Sequence, residues 1–337
     1  MSDNQEILSK PLVRLYDIKL EPVDFSNITE KTAETKYNDG STDKYTILTD
    51  MTDGSRVYRQ RENFVKMVRL GDEPRYTQIP GSIEPKAGIG RVMEMFDNKT
   101  GTRIAAKYVQ HKTIDSVAEA RIMARFNHPN VAKVFDIAIT GKGKLCMITE
   151  WIEGETLADW MVFNRSFEEV GNVLKQALAG IAYINSKNVI HGDLKPQNVM
   201  IDKYGVVKII DFGVASPGNE DAIKKEGLMF TLWYCPPEQI DGYLSTRTDV
   251  YSTGTMIFNI FSGMLGQTAK DHRDIFQERI DRQFPLSSDY RNYFDSHPEK
   301  LQKLSDILHK ALAISPHDRY PSVKDMEADL GEVFGWK

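Results

Sequence analysis

The chain of 337 residues is poor in cysteine, with only Cys146 and Cys235. Each sits in an apolar or aromatic stretch. Two such thiols make no disulfide framework and read as buried structural cysteines in a protein of a reducing compartment. A basic excess is also lacking. Forty-three Lys and Arg stand against 48 Asp and Glu, a formal charge of −5, which leaves no electrostatic footprint for DNA or RNA. No apolar run approaches the roughly 18 residues of a membrane span, and the opening "MSDNQEILSK" carries no charged-then-apolar signal peptide. The seven histidines are scattered, without metal-ligand spacing such as HExxH. No internal repeat is present. What remains is an ordinary globular composition, 41% hydrophobic and 27% charged, long enough for one large domain or two lobes around a sizeable core.

Residues 1–74 read as an N-terminal extension. "SNITEKTAETKYNDGSTDKY" is polar and reads as flexible or loop, and "YTILTDMTDGSRVYRQ" has two β-prone pieces around Asp53-Gly54, a hairpin signal. From about Arg75 the texture changes. Short β-prone runs follow one another ("GRVMEMFD", "TRIAAKYV", "VAKVFDIAI", "KLCMITEWI"), interrupted by one helical segment, "SVAEARIMARF". After Gly154 the pattern becomes mainly helical. "SFEEVGNVLKQALAGIAYINSKN" opens with Ser166 followed three residues later by Glu169, a capping box. "TDVYSTGTMIFNIFSGML" is apolar nearly all round and reads as a central buried helix. The expectation is an α+β, bilobal chain: 75–337 as one domain, with a small β-rich N-lobe with one helix at about 75–150 and a larger, mainly helical C-lobe at about 153–335. Such a pattern leads one to expect a cleft between the lobes.

The densest chemistry is in "VIHGDLKPQNVMI", which puts His191, Asp193, Lys195 and Asn198 within eight residues. A carboxylate beside a short turn orients an incoming hydroxyl, Lys195 neutralises charge on a transferring phosphoryl group, and Asn198 offers an uncharged oxygen to a metal ion. Further on, "VKIIDFG" presents Asp211 after an apolar strand. A carboxylate and an amide for Mg²⁺ beside an orienting Asp is the layout that phosphoryl transfer needs, where catalysis is mostly positioning and charge stabilisation. Alone, Asp193 could be a turn aspartate, DFG a turn triplet and Lys107 a surface lysine on an edge strand.

At these residues the chain resembles the eukaryotic-type (Hanks-type) protein serine/threonine kinases, with the look of their bacterial members. "HGDLKPQN" and "DFG" are similar to the family's catalytic and metal-binding loops, and the other pieces follow in order over about Thr77 to Phe334. "IAAK" supplies Lys107 for the phosphates, and "AEARIMARFNHPNV" supplies Glu119 to pair with it. "MITEWIEGETL" resembles the hinge, with Thr149 as gatekeeper and backbone groups of Glu150 and Ile152 facing adenine. Gly88, Gly90, Val92 and Ala105 complete the implied nucleotide set. Thr231 in "FTLWYCPPE" would contact the catalytic Asp193 and Lys195, Asp249 of "TDVYSTG" would hold the catalytic loop, and Arg319 of "SPHDRY" would pair with Glu238. The resemblance implies ATP and Mg²⁺ as cofactors, the latter on Asn198 and Asp211, and protein substrates phosphorylated on Ser or Thr, with no nucleic-acid partner and no membrane span. It also implies a cytoplasmic setting in a bacterial or phage-infected cell, or a host cytosol for a secreted effector.

Two departures stand out. Gly192 replaces the arginine usual between the His and the Asp, a non-RD arrangement, so a phosphate on the activation loop loses its receptor. The segment Val214 to Met229 agrees, with a single hydroxyl residue, Ser216, and standing negative charge at Glu220, Asp221 and Glu226. An autophosphorylating kinase that does not depend on activation-loop phosphorylation is expected. The glycine-rich loop is degenerate, with Pro85 and Ala87 where glycines are usual; Pro85 has no N–H to offer a phosphate. That keeps a pseudokinase scaffold open. "HGDL…N" also occurs in small-molecule kinases of the aminoglycoside and choline type, which lack the "PPE" segment and its arginine.

Overall fold

The computed structural model describes residues 12–14, 28–36, 42–50, 56–60, 64–67, 76–78, 92–97, 99–108, 126–140, 145–212, 215–219, 221–224, 231, 233–263 and 286–336. Pro85, Ala87, Gly88, Gly90, Glu119 and the helical segment "SVAEARIMARF" up to Arg125 lie outside the described residues. The chain divides into two compact units, residues 1–126 with 133–152, and residues 127–132 with 153–337.

The first unit is built of antiparallel strands. Its first sheet contains β1 (Leu12–Arg14), joined by later strands; β2 (Ile28–Lys36), β3 (Thr42–Asp50), β4 (Arg56–Gln60) and β5 (Phe64–Met67) form a separate four-stranded sheet in that order. The predicted hairpin around Asp53-Gly54 is the β3–β4 pairing, with Thr49 opposite Arg56. The stretch read as flexible instead contributes β2 and the start of β3, paired over nine residues. Its polarity concealed a strand. Four of the nine β2 residues are β-branched, a composition that suits a strand without an apolar run, and the register sets Thr32 opposite Thr46 and Glu34 opposite Lys44.

The other sheet is a closed barrel in which β6 (Tyr76–Gln78), β7 (Val92–Asp97), β8 (Thr102–Tyr108), β9 (Val134–Thr140) and β10 (Leu145–Glu150) join β1 in the order β1-β6-β7-β8-β10-β9. β1 comes from the stretch that reads as an extension. It pairs with β6 at Leu12 and Tyr76 and with β9 from Leu12–Thr140 to Arg14–Ala138, which leaves no open edge. Alternation of period two fills the core: Met93, Met95, Ile104, Ala106, Cys146 and Ile148, with Tyr76, are its buried residues. The Tyr76 hydroxyl donates to Asp136 Oδ2 at 2.9 Å, so these two buried polar groups satisfy each other.

The second unit is mainly helical. β11 (Gly154–Thr156) leads into α1 (Leu157–Trp160) and α2 (Phe167–Ser186). The Ser166 N–H donates to Glu169 Oε2 at 2.8 Å, and the Glu169 N–H donates to Ser166 Oγ at 3.1 Å, which is the predicted capping box. After β12 (Val189–Ile190), β13 (Val199–Asp202) and β14 (Val207–Ile209) complete a three-stranded sheet with β11. β15 (Ser216–Pro217) pairs with β12, and β16 (Ile223–Lys224) pairs with β17 (Tyr243–Leu244). α3 (Pro237–Ile240) precedes β17. Then come α4 (Thr246–Ser262), α5 (Ser288–Asp295), α6 (Pro298–Ala311) and α7 (Val323–Phe334). Every residue of α4 except Arg247 is buried, as the all-round apolar pattern predicts. Its hydroxyls are satisfied locally, Thr253 Oγ1 donating to Asp249 O at 2.6 Å and Thr255 Oγ1 to Tyr251 O at 3.0 Å. Gly254 lets α6 approach closely, because a Cβ there would lie 3.0 Å from that of Ala311. Among the described residues no helix is long and apolar enough to cross a membrane.

Candidate active site

Two tight segments, 191–198 and 207–212, form the site in the second unit. β12 delivers the chain to His191, which is fully buried. The His191 ring fixes itself through both nitrogens. Nδ1 accepts from the Asp193 N–H at 3.3 Å, so Nε2 carries the proton and donates to Ile210 O at 3.1 Å. The Asn198 carbonyl accepts from the Ile210 N–H at 2.9 Å. These bonds tie the residue before Asp211 to both ends of the 191–198 turn. Asp211 itself has φ +60° and Gly192 φ +75°, left-handed conformations that glycine adopts freely and that aspartate tolerates better than most residues.

Asp249 of α4 stands under this turn with no exposed surface. Its Oδ2 accepts from the His191 N–H at 2.9 Å and from Asn185 Nδ2 at 2.8 Å, and its Oδ1 from the Gly192 N–H at 3.0 Å. Burial pushes its carboxyl above the ordinary value, while the nearby His191 ring and these donors pull the other way. These bonds place the residue under the loop, where the resemblance expects a clamp.

The turn presents Asp193. Lys195 Nζ lies 2.5 Å from Asp193 Oδ2 and donates to Thr231 Oγ1 at 2.6 Å, and the Thr231 N–H donates to Asp193 Oδ1 at 3.0 Å. Asn198 Nδ2 donates to the Asp193 carbonyl at 2.7 Å and to its Oδ2 at 3.1 Å. Oδ2 therefore serves two donors, and Oδ1 accepts one bond among the described residues and keeps a lone pair for an incoming hydroxyl. Because both partners of Asn198 Nδ2 are acceptors, its amide orientation is settled, and its oxygen points the other way. Two hard oxygen groups, the Asn198 amide and the Asp211 carboxylate, thus stand on adjoining segments. That set suits Mg²⁺, which needs few protein ligands when phosphates and water supply the rest. Among the described residues no cluster of three or more His, Cys, Asp or Glu could hold a metal by itself.

In the first unit, Val92, Ala105, Lys107 and Thr149 share the barrel face opposite the core row. Lys107 is registered between Val92 and Met147, and Ala105 between Glu94 and Thr149. β8 lies between β7 and β10, so Lys107 is on an inner strand, not an edge one. Glu150 and Lys133 bond reciprocally: the Glu150 N–H donates to Lys133 O at 2.9 Å, and Glu150 Oε1 accepts from the Lys133 N–H at 2.7 Å. Ile152 is half-buried at the end of the unit.

The predicted pair of Glu238 and Arg319 is bidentate, at 2.7 Å and 2.9 Å, with the Arg319 side chain fully buried. Cys235 is buried, and that burial raises its thiol to about 12, which leaves it protonated and inert. Two residues that hold the loop had no signal in the sequence: Asn185, and Gln239, whose Nε2 donates to Gly192 O at 2.6 Å. Neither belongs to a motif; adjacency to Glu238 was the one available hint for Gln239.

The chain matches the protein kinase domain family over residues 86–329. It is 27% identical over 220 residues to the serine/threonine-protein kinase PrkC of Bacillus subtilis, covering 64% of this chain and 33% of that protein. It is 27% identical over 257 residues to the probable serine/threonine-protein kinase PknB of Lactococcus lactis, covering 73% and 40%. With the serine/threonine-protein kinase PknL of Mycobacterium tuberculosis it shares 32% identity over 219 residues, covering 64% and 53%. It spans between a third and about half of the length of these relatives.

Proposed function

The chain belongs to the protein kinase family, and on that premise we propose that it is an ATP- and Mg²⁺-dependent protein serine/threonine kinase that modifies itself as well as other proteins. The observation that carries the reading is the closed set around Asp193, in which Lys195, Thr231 and Asn198 all bond the one residue whose remaining lone pair can take a substrate hydroxyl. Asp193 orients that hydroxyl and accepts its proton as the phosphoryl group leaves ATP. Lys195, steered by Thr231, neutralises charge on the transferring group. Asn198 and Asp211 would hold Mg²⁺, which supplies further charge neutralisation on the phosphates. Lys107, with Glu119 as its expected partner, would grip the α- and β-phosphates; Gly88, Gly90, Val92 and Ala105 would border the nucleotide, with Thr149 as gatekeeper and backbone groups of Glu150 and Ile152 for adenine.

The buried Glu238–Arg319 pair supports a protein kinase over a small-molecule kinase, which lacks both partners. Ser216 supports independence from activation-loop phosphorylation: it is 2% exposed, in a strand paired with β12, and out of reach of another kinase. The two buried cysteines, neither in a disulfide, suit a cytosol. The test is incubation with Mg²⁺, γ-labelled ATP and a generic protein substrate, followed by acid hydrolysis. Label on phosphoserine or phosphothreonine is the expected result. Label on an aminoglycoside or choline, with none on protein, would move the reading to small-molecule kinases.

A further inference from the structure

We propose that Gln239 is a positioning residue that holds the catalytic turn permanently through the Gly192 carbonyl. The proposal rests on the kinase reading and names how that site stays ordered without a phosphate. Gln239 is 1% exposed on α3, and its Nε2 donates to Gly192 O at 2.6 Å. A carbonyl only accepts, so the amide nitrogen must face it and the orientation of the side chain is settled. The Oε1 atom is then buried without a donor among the described residues. A side chain kept only for packing would do better without that orphaned oxygen. What the glutamine supplies is one short donor to one carbonyl.

That carbonyl governs where Asp193 points. The peptide preceding Gly192 is fixed by Asp249, which receives the N–H groups of His191 and Gly192. The peptide following Gly192 leads directly into Asp193. Its N–H makes a long 3.3 Å bond to His191 Nδ1, and its C=O has the 2.6 Å bond from Gln239. Gly192 sits at φ +75° with no side chain to restrain it, so rotation of this peptide is limited by the His191 ring at its N–H and by the shorter Gln239 bond at its C=O. Such a rotation would carry Asp193 away from Lys195 and Thr231.

Gln239 also stands on a rigid footing. Its neighbour Glu238 is gripped by Arg319, whose five N–H donors go to both Glu238 oxygens and to the carbonyls of Arg247, Ala313 and Ile314. The chain of contacts runs from Arg319 through Glu238 and Gln239 to Gly192. No member waits for a charge to be added. A neutral, built-in donor thus does what a phosphate and its arginine receptor do where order is switched.

The test compares Q239E and Q239M with the wild type. A protonated carboxyl can donate to Gly192 O and a carboxylate cannot, and burial raises the carboxyl's pKa above its ordinary value. The kcat of Q239E should match the wild type near about pH 6 and fall roughly tenfold below it by about pH 9, with KM for ATP unchanged. Q239M should stay roughly tenfold low at every pH. A Q239E-to-wild-type ratio that is flat with pH, or Q239M at wild-type kcat, overturns the proposal. Amide hydrogen exchange of the peptide spanning 191–195 in Q239M gives a second reading that needs no activity: faster exchange is expected, and unchanged exchange overturns the proposal even where Q239E does not fold. A wild type that transfers no phosphoryl group would sink the kinase reading instead, and the exchange measurement would still judge the turn.

Discussion

Asp249 shows what a single residue does for this site. It is wholly buried, yet it receives two backbone N–H groups of the catalytic turn and the amide of Asn185. Replacing it with alanine leaves those three donors buried and unmet. Breaking a buried charged network of this kind costs about 3–5 kcal/mol, so Asp249→Ala should lose that much stability in urea denaturation at pH 7. A loss below about 1 kcal/mol would contradict the clamp. Asp193, Lys195, Asn198, Thr231 and Asp249 were all legible in the sequence, because their spacing and order repeat a family pattern, and the structure brings the first four into one hydrogen-bonded set. Asn185 and Gln239 were not legible. Their bonds reach across 64 and 47 residues, and an isolated amide in a sequence gives no sign of which carbonyl or carboxylate it will meet.

Among the elements, the long helices and the strands of six or seven residues in the barrel were readable, and the two-residue strands were not. α2 and α4 follow from a capping box and an apolar surround, because helices of this length declare their period. β12 and β15 are two residues each and have no period to read. Their pairing nevertheless decides how the start of the activation segment behaves. Ile190 is registered with Ser216 and Val189 with Pro217, and the Gly218 N–H donates to Asn188 O at 2.8 Å. Ser216 is therefore part of a fold element. Ser216→Ala should keep kcat within about twofold of the wild type, a change of under 1 kcal/mol in barrier. Mass spectrometry of the wild type should find no phosphate on Ser216. Loss of most activity in Ser216→Ala, with unchanged melting, would mean that the hydroxyl is a regulatory site after all.

At the scale of the molecule, the sequence turns mainly helical after Gly154, and the chain divides into one unit of residues 1–126 with 133–152 and another of residues 127–132 with 153–337. Within the first seventy-odd residues the described segments are all strands. β1 closes the barrel of the first unit, and β2 to β5 form a sheet of their own. The account as a whole stands on one assignment, that Asp193 performs phosphoryl transfer while other residues hold the nucleotide. The most direct measurement is Mg²⁺-ATP binding and γ-phosphoryl transfer by wild type and Asp193→Ala, side by side. The account predicts that the variant binds nucleotide within about threefold of the wild type and loses transfer by roughly a factor of 10² or more. Transfer at the wild-type rate by Asp193→Ala would contradict it.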